Sequence, residues 1–581
     1  MGKHWRIFSH DEDRIARLEK TAEIPAIVAQ LLVCRGILDP RDARQFLDAK
    51  LANLRDPELL PGLKHAADRI HAAIQSGRRI TIYGDYDADG MTATAILWRC
   101  LRLLDADVDF YVPHRLDEGY GLNDAALTKL AEKGRQLIVT VDCGITSSAE
   151  AATAQRLGLE LIITDHHELT GDLPAAASIV HPGLDDGIYP FRGLCGAGIA
   201  FKLAWAVCQR ASQAKRVQPR LRNYLLDAIG LAAIGTVADV VPLLDENRLI
   251  VRHGLYSLKN QPMVGIAALC KVTGLDKKPT LNSEDIAFML APRLNAAGRL
   301  GQAELAVELM ITDSPERAEQ LAAYVHELNG DRDSLERGIY LAAQKQAKEE
   351  FDIENDPALV LAGRGWHPGV IGIVAGRLAE KYCRPVVMIA LDKLGANVAT
   401  GSARSAFGLN LYDALHACGE HLTTFGGHAA AAGLRIDEAH IEPFRNHFCD
   451  HVNRQVAPEL RTAELCIDAE TTLPQLTLRT INQIEQLAPF GQDNPRPLLF
   501  ASRVQVDGNL RRVGGGERHL LLSLRQFDRT FRAIAFGQAE RAKSLEGDRS
   551  EFDIAFRPII NEFRGRRSVE LQLVDWRRSQ S

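Results

Sequence analysis

Apolar and polar positions alternate along residues 61–245 in a way that predicts strands and helices in turn. The short, β-branched runs Arg79–Tyr83, Leu137–Val141 and Leu159–Thr164 predict buried strands. The longer run Met91–Leu104 is rich in alanine and leucine and predicts a helix. Because strands that alternate with helices form parallel βαβ units, we expect an α/β domain on a parallel sheet.

The pattern changes further along the chain. Apolar residues at helical spacing among many charges, with Pro315 near the start, predict a long connector helix. A second, smaller α/β domain is expected next, and short alternating runs near the C-terminus predict a β-barrel of the OB type. The start of the chain predicts a helical extension that carries no chemistry. The expected segments are 1–60 (extension), 61–302 (first α/β domain), 303–350 (connector), 351–461 (second α/β domain) and 462–581 (barrel).

Composition narrows the class of protein. The 581 residues exceed one hydrophobic core, and 46% hydrophobic with 25% charged residues is typical of a soluble globular chain. The net charge of -6 gives no global basic field, although a local basic patch is still compatible with nucleic acid. We find neither a signal peptide nor an apolar run of about 18 residues, so no membrane association is expected. The 10 cysteines form no CxxC pair, which argues against a zinc knuckle and suits reduced thiols in the cytoplasm.

Acids and histidines recur where the predicted strands end. They are Asp85, Asp87 and Asp89 after the first strand, Asp142 after the second, His166 and His167 after the third, and Asp239 after an apolar helix, Leu225–Ile234, that we expect Gly235 to break. The carboxyl ends of parallel strands share one edge of the sheet, where ligands bind. Since neighbouring carboxylates repel one another, a divalent cation among them is the simplest explanation.

The ligand types indicate which cation. Carboxylates alone suit Mg²⁺, and the imidazole of His166 shifts the preference toward Mn²⁺. Two such ions about 3.5–4 Å apart form the usual clamp for in-line attack on phosphorus. Asp142 and Asp239 are both candidates for the carboxylate that bridges them. A zinc protease is excluded because no HExxH motif is present.

Asp165-His166-His167 is the signature of the DHH phosphoesterase superfamily, which the chain resembles. The motifs GDYDADG, VDCG, TDHHE and GTVADVVPL, in this order, are similar to those of its RecJ exonucleases in particular. The resemblance implies an α/β phosphoesterase domain that binds two divalent cations, Mn²⁺ or Mg²⁺. It implies a catalytic role for His167 beside the scissile phosphate, and one for Asp85 as a ligand or as a neighbour of one. The implied metal ligands are Asp87, Asp89, Asp142, His166 and Asp239.

Two basic segments are candidates for substrate contact. Arg115 follows a predicted strand, and its guanidinium could bind phosphate with two donors; the alternative is a solvated surface turn. Ala291–Arg299 is expected to be a basic loop whose small residues let DNA approach the backbone. By resemblance to RecJ, Arg115 is a phosphate contact, and Arg293, Asn295 and Arg299 are the candidates in the loop.

The second α/β domain adds a glycine-rich stretch. Phe425–Gly433 is expected to lead a glycine pair into a helix, whose exposed N–H groups favour an anion. Together with Gly401–Ser405 it resembles the DHHA1 domain, although Phe425 stands where the family usually has a further glycine. The resemblance implies that Ser402 and Arg404 hold a 5′-terminal phosphate and that His428 reaches the cleft.

Arginines alternate with aromatic residues in the predicted barrel. This mixture suits single-strand binding through backbone charge and base stacking, and the alternative is that the aromatics form the barrel core. The residues are Arg525, Phe527, Arg529, Phe531, Arg532, Phe563, Arg564, Arg566, Arg567 and Trp576.

The family resemblance implies a function. It is a single-stranded-DNA-specific 5′→3′ exonuclease that releases 5′ mononucleotides and acts in DNA repair and recombination. It also implies a monomer, with a single-strand-binding protein and a helicase as partners. One alternative is a small-substrate DHH phosphoesterase acting on nanoRNA, cyclic dinucleotides or pyrophosphate, whose members generally lack the extra terminal domains. The other is a non-catalytic scaffold, whose relatives have lost metal ligands.

Overall fold

The computed structural model describes residues 3–115, 117–184, 189–353, 355–392, 398–457, 464–545, 551–563 and 565–579. The strands are β1 His4–Ile7, β2 Ile80–Tyr83, β3 Val108–Tyr111, β4 Leu137–Thr140, β5 Glu160–Thr164, β6 Ser178–Val180, β7 Leu359–Arg364, β8 Val386–Leu391, β9 Ala399–Arg404, β10 Thr424–Gly427, β11 Ala431–Ile436, β12 Glu464–Ile467, β13 Ala469–Glu470, β14 Leu499–Val506, β15 Arg511–Val513, β16 His519–Gln526, β17 Arg529–Ala535, β18 Glu551–Phe563 and β19 Arg566–Arg578.

Besides a few short 3₁₀ helices and one π-helix, the described residues also form α-helices. They are α1 Glu12–Ala22, α2 Ala26–Cys34, α3 Pro40–Asp48, α4 Leu63–Gln75, α5 Ala88–Leu103, α6 Asp124–Glu132, α7 Ser148–Arg156, α8 Gly196–Ser212, α9 Pro219–Ala238, α10 Asp245–Asn260, α11 Val264–Thr273, α12 Ser283–Asp285, α13 Ala291–Arg299, α14 Ala303–Ile311, α15 Pro315–Glu350, α16 Pro368–Tyr382, α17 Leu411–Ala417, α18 Ile441–Gln455 and α19 Leu478–Ile484. In the part of the chain that the structure describes, no helix combines the length and apolarity that crossing a bilayer requires.

The chain forms two compact units. One comprises 54–241 and 249–462, and the other comprises 1–53, 242–248 and 463–581, within the described ranges. The domain boundaries expected from the sequence stay a prediction, and each unit is described by itself below.

The first sheet of the larger unit is parallel throughout, as predicted. Its five strands lie in the order β3-β2-β4-β5-β6. Every residue of β2 and β4 is buried, which explains why these strands are continuous apolar runs rather than alternating ones. All five strands therefore end at one edge, and the segments after β2, β4 and β5 meet there.

Helix α9 does not end where the sequence predicts. It continues through Gly235 to Ala238, and Asp239 is its C-cap. The expected break at Gly235 is wrong because this glycine serves a close contact: a Cβ there would lie 2.4 Å from Asp89 Oδ1 and 2.5 Å from the Ala197 Cβ. The glycine thus lets α9 approach the acidic loop.

The segment Ala291–Arg299 forms the helix α13, so the basic loop predicted for it is wrong. Pro292 is in the first turn, where proline is compatible with helical geometry. Gly298 permits a close approach, since a Cβ there would lie 1.9 Å from the Tyr86 carbonyl oxygen. Beyond α14, the predicted connector helix is confirmed as α15, which Ser314 caps and Pro315 begins.

The second sheet of this unit is mixed, in the order β10-β11-β9-β8-β7. Strands β7 and β8 are parallel, and the others pair antiparallel. The helix expected after Gly426 and Gly427 is wrong, because β10 and β11 form a hairpin here. Gly427 has φ +137°, and a Cβ there would lie 2.6 Å from the Ala431 carbonyl oxygen, so the hairpin requires glycine.

The smaller unit contains a seven-stranded sheet, ordered β13-β14-β18-β19-β17-β16-β15. Strand β14 also pairs with β16, which curves the sheet back on itself as a barrel does. Leu18 and Leu31 of the N-terminal helices share its core with Leu520 and Phe556. Strand β1 pairs in parallel with β12.

The residues predicted to bind single strands differ in exposure. Phe527 is 74% exposed, whereas Trp576 is 4% exposed and belongs to the core. Arg564 and the side chain of Phe563 lie outside the described residues.

Candidate active site

Asp87 begins the acidic edge. It is the N-cap of α5, and its Oδ1 accepts hydrogen bonds from the N–H groups of Asp89 (2.9 Å) and Gly90 (3.0 Å). The N–H of Ala88, the first residue of α5, donates to Asn295 Oδ1 at 2.8 Å. Asn295 therefore lies beside the acidic loop. A helix N-terminus favours negative charge, so the turn itself holds Asp87 in place.

Asp89 is completely buried and is held by a second helix. Its carboxylate accepts hydrogen bonds from the N–H groups of Gly196 (2.6 Å) and Ala197 (2.9 Å), the first residues of α8. A Cβ on Gly196 would lie 2.5 Å from the Asp142 Cβ. Glycine therefore allows the start of α8 to contact two of the carboxylates.

Asp142 follows β4 in an unusual backbone conformation. Its φ of +63° is uncommon outside glycine, and its N–H donates to the Thr164 carbonyl at 3.0 Å. Such strain persists where the surroundings enforce it, and it is concentrated at functional sites.

His166 joins these carboxylates into one cluster. Its Nε2 lies 3.1 Å from Asp142 Oδ1, 3.5 Å from Asp239 Oδ2 and 3.9 Å from Asp89 Oδ2. Asp85, Asp87 and Asp142 also offer oxygens within 4.8 Å of one another. Residues from four separate segments are thus close enough to share cations.

The cluster lacks the hydrogen bonds that its burial would otherwise demand. Among the residues that the structure describes, Asp85 Oδ1, Asp142 Oδ1 and His166 Nε2 find no hydrogen-bond partner, although all three atoms are buried. Buried polar atoms are rarely unpaired, so three at one edge form a set of ligand atoms suited to a cation. Carboxylate oxygens and a neutral imidazole nitrogen are donors that Mg²⁺ and Mn²⁺ accept, so these residues fit a divalent cation.

The pKa values support the same conclusion. The pKa of Asp239 is raised to about 9 by burial and by repulsion from the carboxylates of Asp89 and Asp87. Burial and neighbouring carboxylates also raise the pKa of Asp142 and of Asp85 well above the ordinary value. Burial and the neighbouring His167 lower the pKa of His166 to about 3, which favours the neutral ring that a metal ion requires. A cation would relieve the repulsion among the carboxylates.

His167 has a different environment from His166. Its Nδ1 donates to Asp165 Oδ1 at 2.7 Å, and Asp165 Oδ2 accepts the N–H of Ile145 at 2.9 Å. Burial opposes protonation of His167, but the bond to Asp165 raises its pKa to about 9. The Tyr120 hydroxyl lies 3.1 Å from the same nitrogen and donates to the Asp142 carbonyl at 3.1 Å.

Sequence reasoning missed Asp165 and Tyr120 as site residues. Asp165 is the first letter of the DHH triplet, and that signal could have identified it. Tyr120 carried no comparable signal, because its contact with His167 joins segments 47 residues apart.

Three of the predicted substrate residues form a cationic group. The Arg115 guanidinium lies 4.8 Å from the centre of the Tyr86 ring, and Arg299 Nη1 donates to the Gly369 carbonyl at 3.1 Å. The pKa of Arg299 is lowered to about 10, first by burial and then by repulsion from nearby guanidiniums, which include those of Arg115 and Arg404. Like charges this close favour an anion among them.

Ser402 and Arg404 lie beside the first turns of α16. Arg404 Nη1 donates to Ser402 Oγ at 3.2 Å, and a Cβ on Gly372 would lie 2.9 Å from that oxygen and 3.0 Å from Arg404 Nη2. A helix N-terminus and a guanidinium side by side are favourable for phosphate.

Two predicted residues lie in other surroundings. His428 is 56% exposed at its side chain, and its Nδ1 is 3.6 Å from Glu168 Oε2, next to the DHH triplet. Arg293 is buried and donates to His326 Nδ1 at 3.0 Å and to the Met289 carbonyl at 2.6 Å. Their roles as substrate contacts stay predictions.

Family models match the two α/β domains. A model of the DHH family, N-terminal domain, matches residues 79–235, and a DHHA1 domain model matches 355–456. With the acidic edge and its imidazole, these matches define the chain as a DHH-class phosphoesterase. A RecJ OB domain model matches 467–575, which confirms the predicted OB-type barrel.

Named relatives narrow the class further. The single-stranded-DNA-specific exonuclease RecJ of Bacillus subtilis is 37% identical over 571 residues, which are 98% of this chain and 70% of the relative. The crystal structure of RecJ in complex with Mn²⁺ from Thermus thermophilus superposes with a TM-score of 0.84 at 32% identity, covering 100% of this chain and 80% of that one. The crystal structure of the same RecJ in complex with Mg²⁺ superposes with a TM-score of 0.77 at 31% identity, covering 100% of this chain and 79% of that one. The chain belongs to the RecJ family of single-stranded-DNA-specific exonucleases.

Proposed function

We propose that this protein is a single-stranded-DNA-specific 5′→3′ exonuclease that hydrolyses phosphodiester bonds and releases 5′ mononucleotides. The observation that carries the proposal is the convergence of carboxylates on His166 Nε2, which lies 3.1 Å from Asp142 and 3.5 Å from Asp239. Family membership supports the substrate, since the relatives are named for single-stranded DNA.

Two divalent cations, Mn²⁺ or Mg²⁺, are part of the proposal. The residues that would hold them are Asp87, Asp89, Asp142, His166 and Asp239, with Asp85 as a ligand or a close neighbour. When bound, the cations supply Lewis acidity at the phosphorus centre and lower the pKa of the attacking water. The unpaired atoms Asp85 Oδ1, Asp142 Oδ1 and His166 Nε2 support this assignment.

His167 is proposed to act on the scissile phosphate. Burial opposes its protonation, but the hydrogen bond to Asp165 raises its pKa to about 9, which favours the protonated form. A protonated imidazole can stabilise the charge that develops on a phosphate oxygen or donate a proton to the leaving oxygen. Asp165 fixes the orientation of the His167 ring through Oδ1, and the carboxylate of Asp165 is itself held because its Oδ2 accepts the Ile145 N–H.

The cationic group supports binding of the phosphates of the strand. Arg115, Arg299 and Arg404 lie close enough that burial and mutual repulsion lower the pKa of Arg299 to about 10. We assign the 5′-terminal phosphate to Ser402 and Arg404, beside the start of α16, and backbone phosphate to Arg115 and Arg299. Binding of a terminal phosphate would place the first phosphodiester at the acidic edge and so favour removal of one nucleotide at a time.

The RecJ OB domain is proposed to bind the rest of the strand. Phe527 is 74% exposed and lies two residues from both Arg525 and Arg529, so it is available for base stacking. Stacking on aromatic side chains contributes about 1–3 kcal/mol per base and tolerates any sequence. Trp576, by contrast, is a core residue and is not assigned to DNA.

The biological setting is inferred from the family. We propose a monomer that acts in DNA repair and recombination in the cytoplasm, together with a helicase and a single-strand-binding protein. The cysteines are all unpaired, which is compatible with a reducing compartment.

Hydrolysis of end-labelled single strands tests the proposal. With Mn²⁺, the wild type should release the label from a 5′-labelled strand as a mononucleotide and should leave duplex DNA intact. Because Lewis-acid stabilisation is worth several kcal/mol, Asp142→Asn should reduce the rate about 10²–10³-fold, whereas the exposed Asp172→Asn should not. No mononucleotide from pure wild type would overturn the assignment, and faster hydrolysis of dinucleotides than of long strands would indicate the small-substrate class instead.

A further inference from the structure

A second group of metal-binding side chains lies in the domain of the second sheet. His421 ends the short 3₁₀ helix Gly419–His421 that follows α17, and His447 lies on α18. His447 Nδ1 is 3.3 Å from His421 Nε2, and Glu420 Oε1 is 3.5 Å from each of these nitrogens. The group shares no residue with the acidic edge of the first sheet.

These three distances match those between ligands of one zinc ion. With zinc–nitrogen bonds of about 2.0–2.1 Å, two ligands at tetrahedral angles lie about 3.3–3.4 Å apart. A charged hydrogen bond between Glu420 and either imidazole would be shorter, at about 2.7–2.9 Å. The two imidazole nitrogens are also within hydrogen-bond distance of each other, whereas the nearly equal sides of the triangle fit one cation shared by all three side chains.

We propose that Glu420, His421 and His447 bind one Zn²⁺ ion. Two imidazoles and one carboxylate favour zinc over Mg²⁺, which prefers oxygen ligands. A water molecule would complete the tetrahedron. The His421 side chain is 18% exposed and that of Glu420 is 71% exposed, so the ion can enter from solvent on the Glu420 side.

The ion would link two elements of this domain. It joins the turn after α17 to α18, and these two helices already share one hydrophobic core through Leu415 and Phe444. Any ligand that binds the folded state alone stabilises that state, so Zn²⁺ should raise the melting temperature of the full chain. The site requires neither catalysis nor DNA.

Zinc titration with a competing chromophoric chelator tests the proposal on the full-length protein. The experiment compares wild type with His447→Gln and with the matched control His440→Gln, an exposed histidine outside the triangle. Wild type and the control should bind one more equivalent of zinc than His447→Gln. Zinc at the acidic edge contributes equally to all three proteins and cancels in the difference, so failure of the proposed exonuclease site leaves the comparison intact.

A second variant protects the test against misfolding. Glu420→Gln changes an exposed side chain and should fold as the wild type does, but it should weaken zinc binding at this site about tenfold or more. Added Zn²⁺ should raise the melting temperature of the wild type more than that of either variant, and exonuclease rates with Mn²⁺ should be unchanged. Equal zinc stoichiometry and affinity in wild type and Glu420→Gln would overturn the proposal.

Discussion

Gly235→Ala should damage the active site from within a helix, without changing any proposed ligand. Gly235 lies in α9, where the added Cβ would be 2.4 Å from Asp89 Oδ1, 2.5 Å from the Ala197 Cβ and 2.6 Å from Thr92 Oγ1. Asp89 cannot move freely, because Gly196 and Ala197 donate to it from the start of α8. The methyl group must therefore displace Asp89, α8 or α9.

The size of the effect follows from the overlap. Ordinary carbon contacts lie at about 3.5–4.0 Å, so the displacement is about 1 Å. Overpacking costs about 1–3 kcal/mol, and alanine recovers about 1 kcal/mol of helix propensity relative to glycine. We expect a net loss of stability of about 0–2 kcal/mol. Displacement of a catalytic group by about 1 Å costs about 10²-fold in rate.

Single-strand hydrolysis and urea unfolding measure the two effects. Gly338→Ala on α15 is the matched control, because a Cβ there meets nothing within 4 Å. The control Gly338→Ala should gain up to about 1 kcal/mol of unfolding free energy and should hydrolyse single strands at the wild-type rate. Gly235→Ala should lose about 10²-fold in rate while remaining folded at the assay temperature.

A wild-type rate for Gly235→Ala would refute this reasoning. It would mean that Asp89 tolerates a displacement of about 1 Å, so that its position is not critical for catalysis. Equal losses of rate in Gly235→Ala and Gly338→Ala would also contradict this reasoning, because of these two glycines only Gly235 is in close contact with its neighbours.

Three further perturbations test other parts of the structure. Glu160→Gln should lower stability at neutral pH by about 1.5–3 kcal/mol, since two arginine guanidiniums bind this carboxylate at 2.7 and 2.6 Å. Burial opposes ionisation of Glu160, but the two arginines hold its pKa below the ordinary 4.5. The stability difference between wild type and Glu160→Gln should therefore persist above pH 4.5 and vanish as the pH falls through the lowered pKa. Urea unfolding at several pH values measures this difference. Arg404→Gln should reduce the preference for a 5′-phosphate over a 5′-hydroxyl about tenfold or more in competition assays, and an unchanged preference would place that phosphate elsewhere. Asp165→Asn should lower turnover at saturating DNA about 10–10²-fold without unfolding the chain, whereas an effect on KM alone would contradict its positioning role.

The acidic edge was predictable because its parts are local signals. Each buried strand is a short β-branched run, and each is followed directly by an acid or a histidine. Parallel strands end at one edge, so the convergence of Asp87, Asp142 and His166 follows from the strand pattern alone. The same holds for α15, which begins with serine and proline in their usual capping positions.

The errors have two physical causes, which are close tertiary contacts at glycine and sheet pairing. Gly235 and Gly298 resemble helix breakers in the sequence, but both lie within helices and permit close approach to Asp89 and Tyr86. The alanine run after His428 favours a helix by propensity, yet β11 pairs with β9 and β10, so sheet pairing overrides it. No single-sequence pattern contains the neighbour that each glycine meets.

Residues far apart in sequence were the least predictable. The Tyr120 hydroxyl reaches His167, and Arg299 reaches the Gly369 carbonyl across 70 residues. Arg293 has the same residue type and lies in the same helix as Arg299, but it points to His326. Composition and spacing do not distinguish these two arginines, because the difference is set by which side of α13 faces α15.

Anomalous X-ray diffraction from crystals soaked in Mn²⁺ would locate the proposed cations directly. We predict two manganese peaks about 3.5–4 Å apart at the acidic edge, one of them within bonding distance of His166 Nε2 and Asp142 Oδ1. Manganese only at other places in the crystal, with these two atoms still unpaired, would contradict the two-cation site on which the proposed exonuclease activity depends.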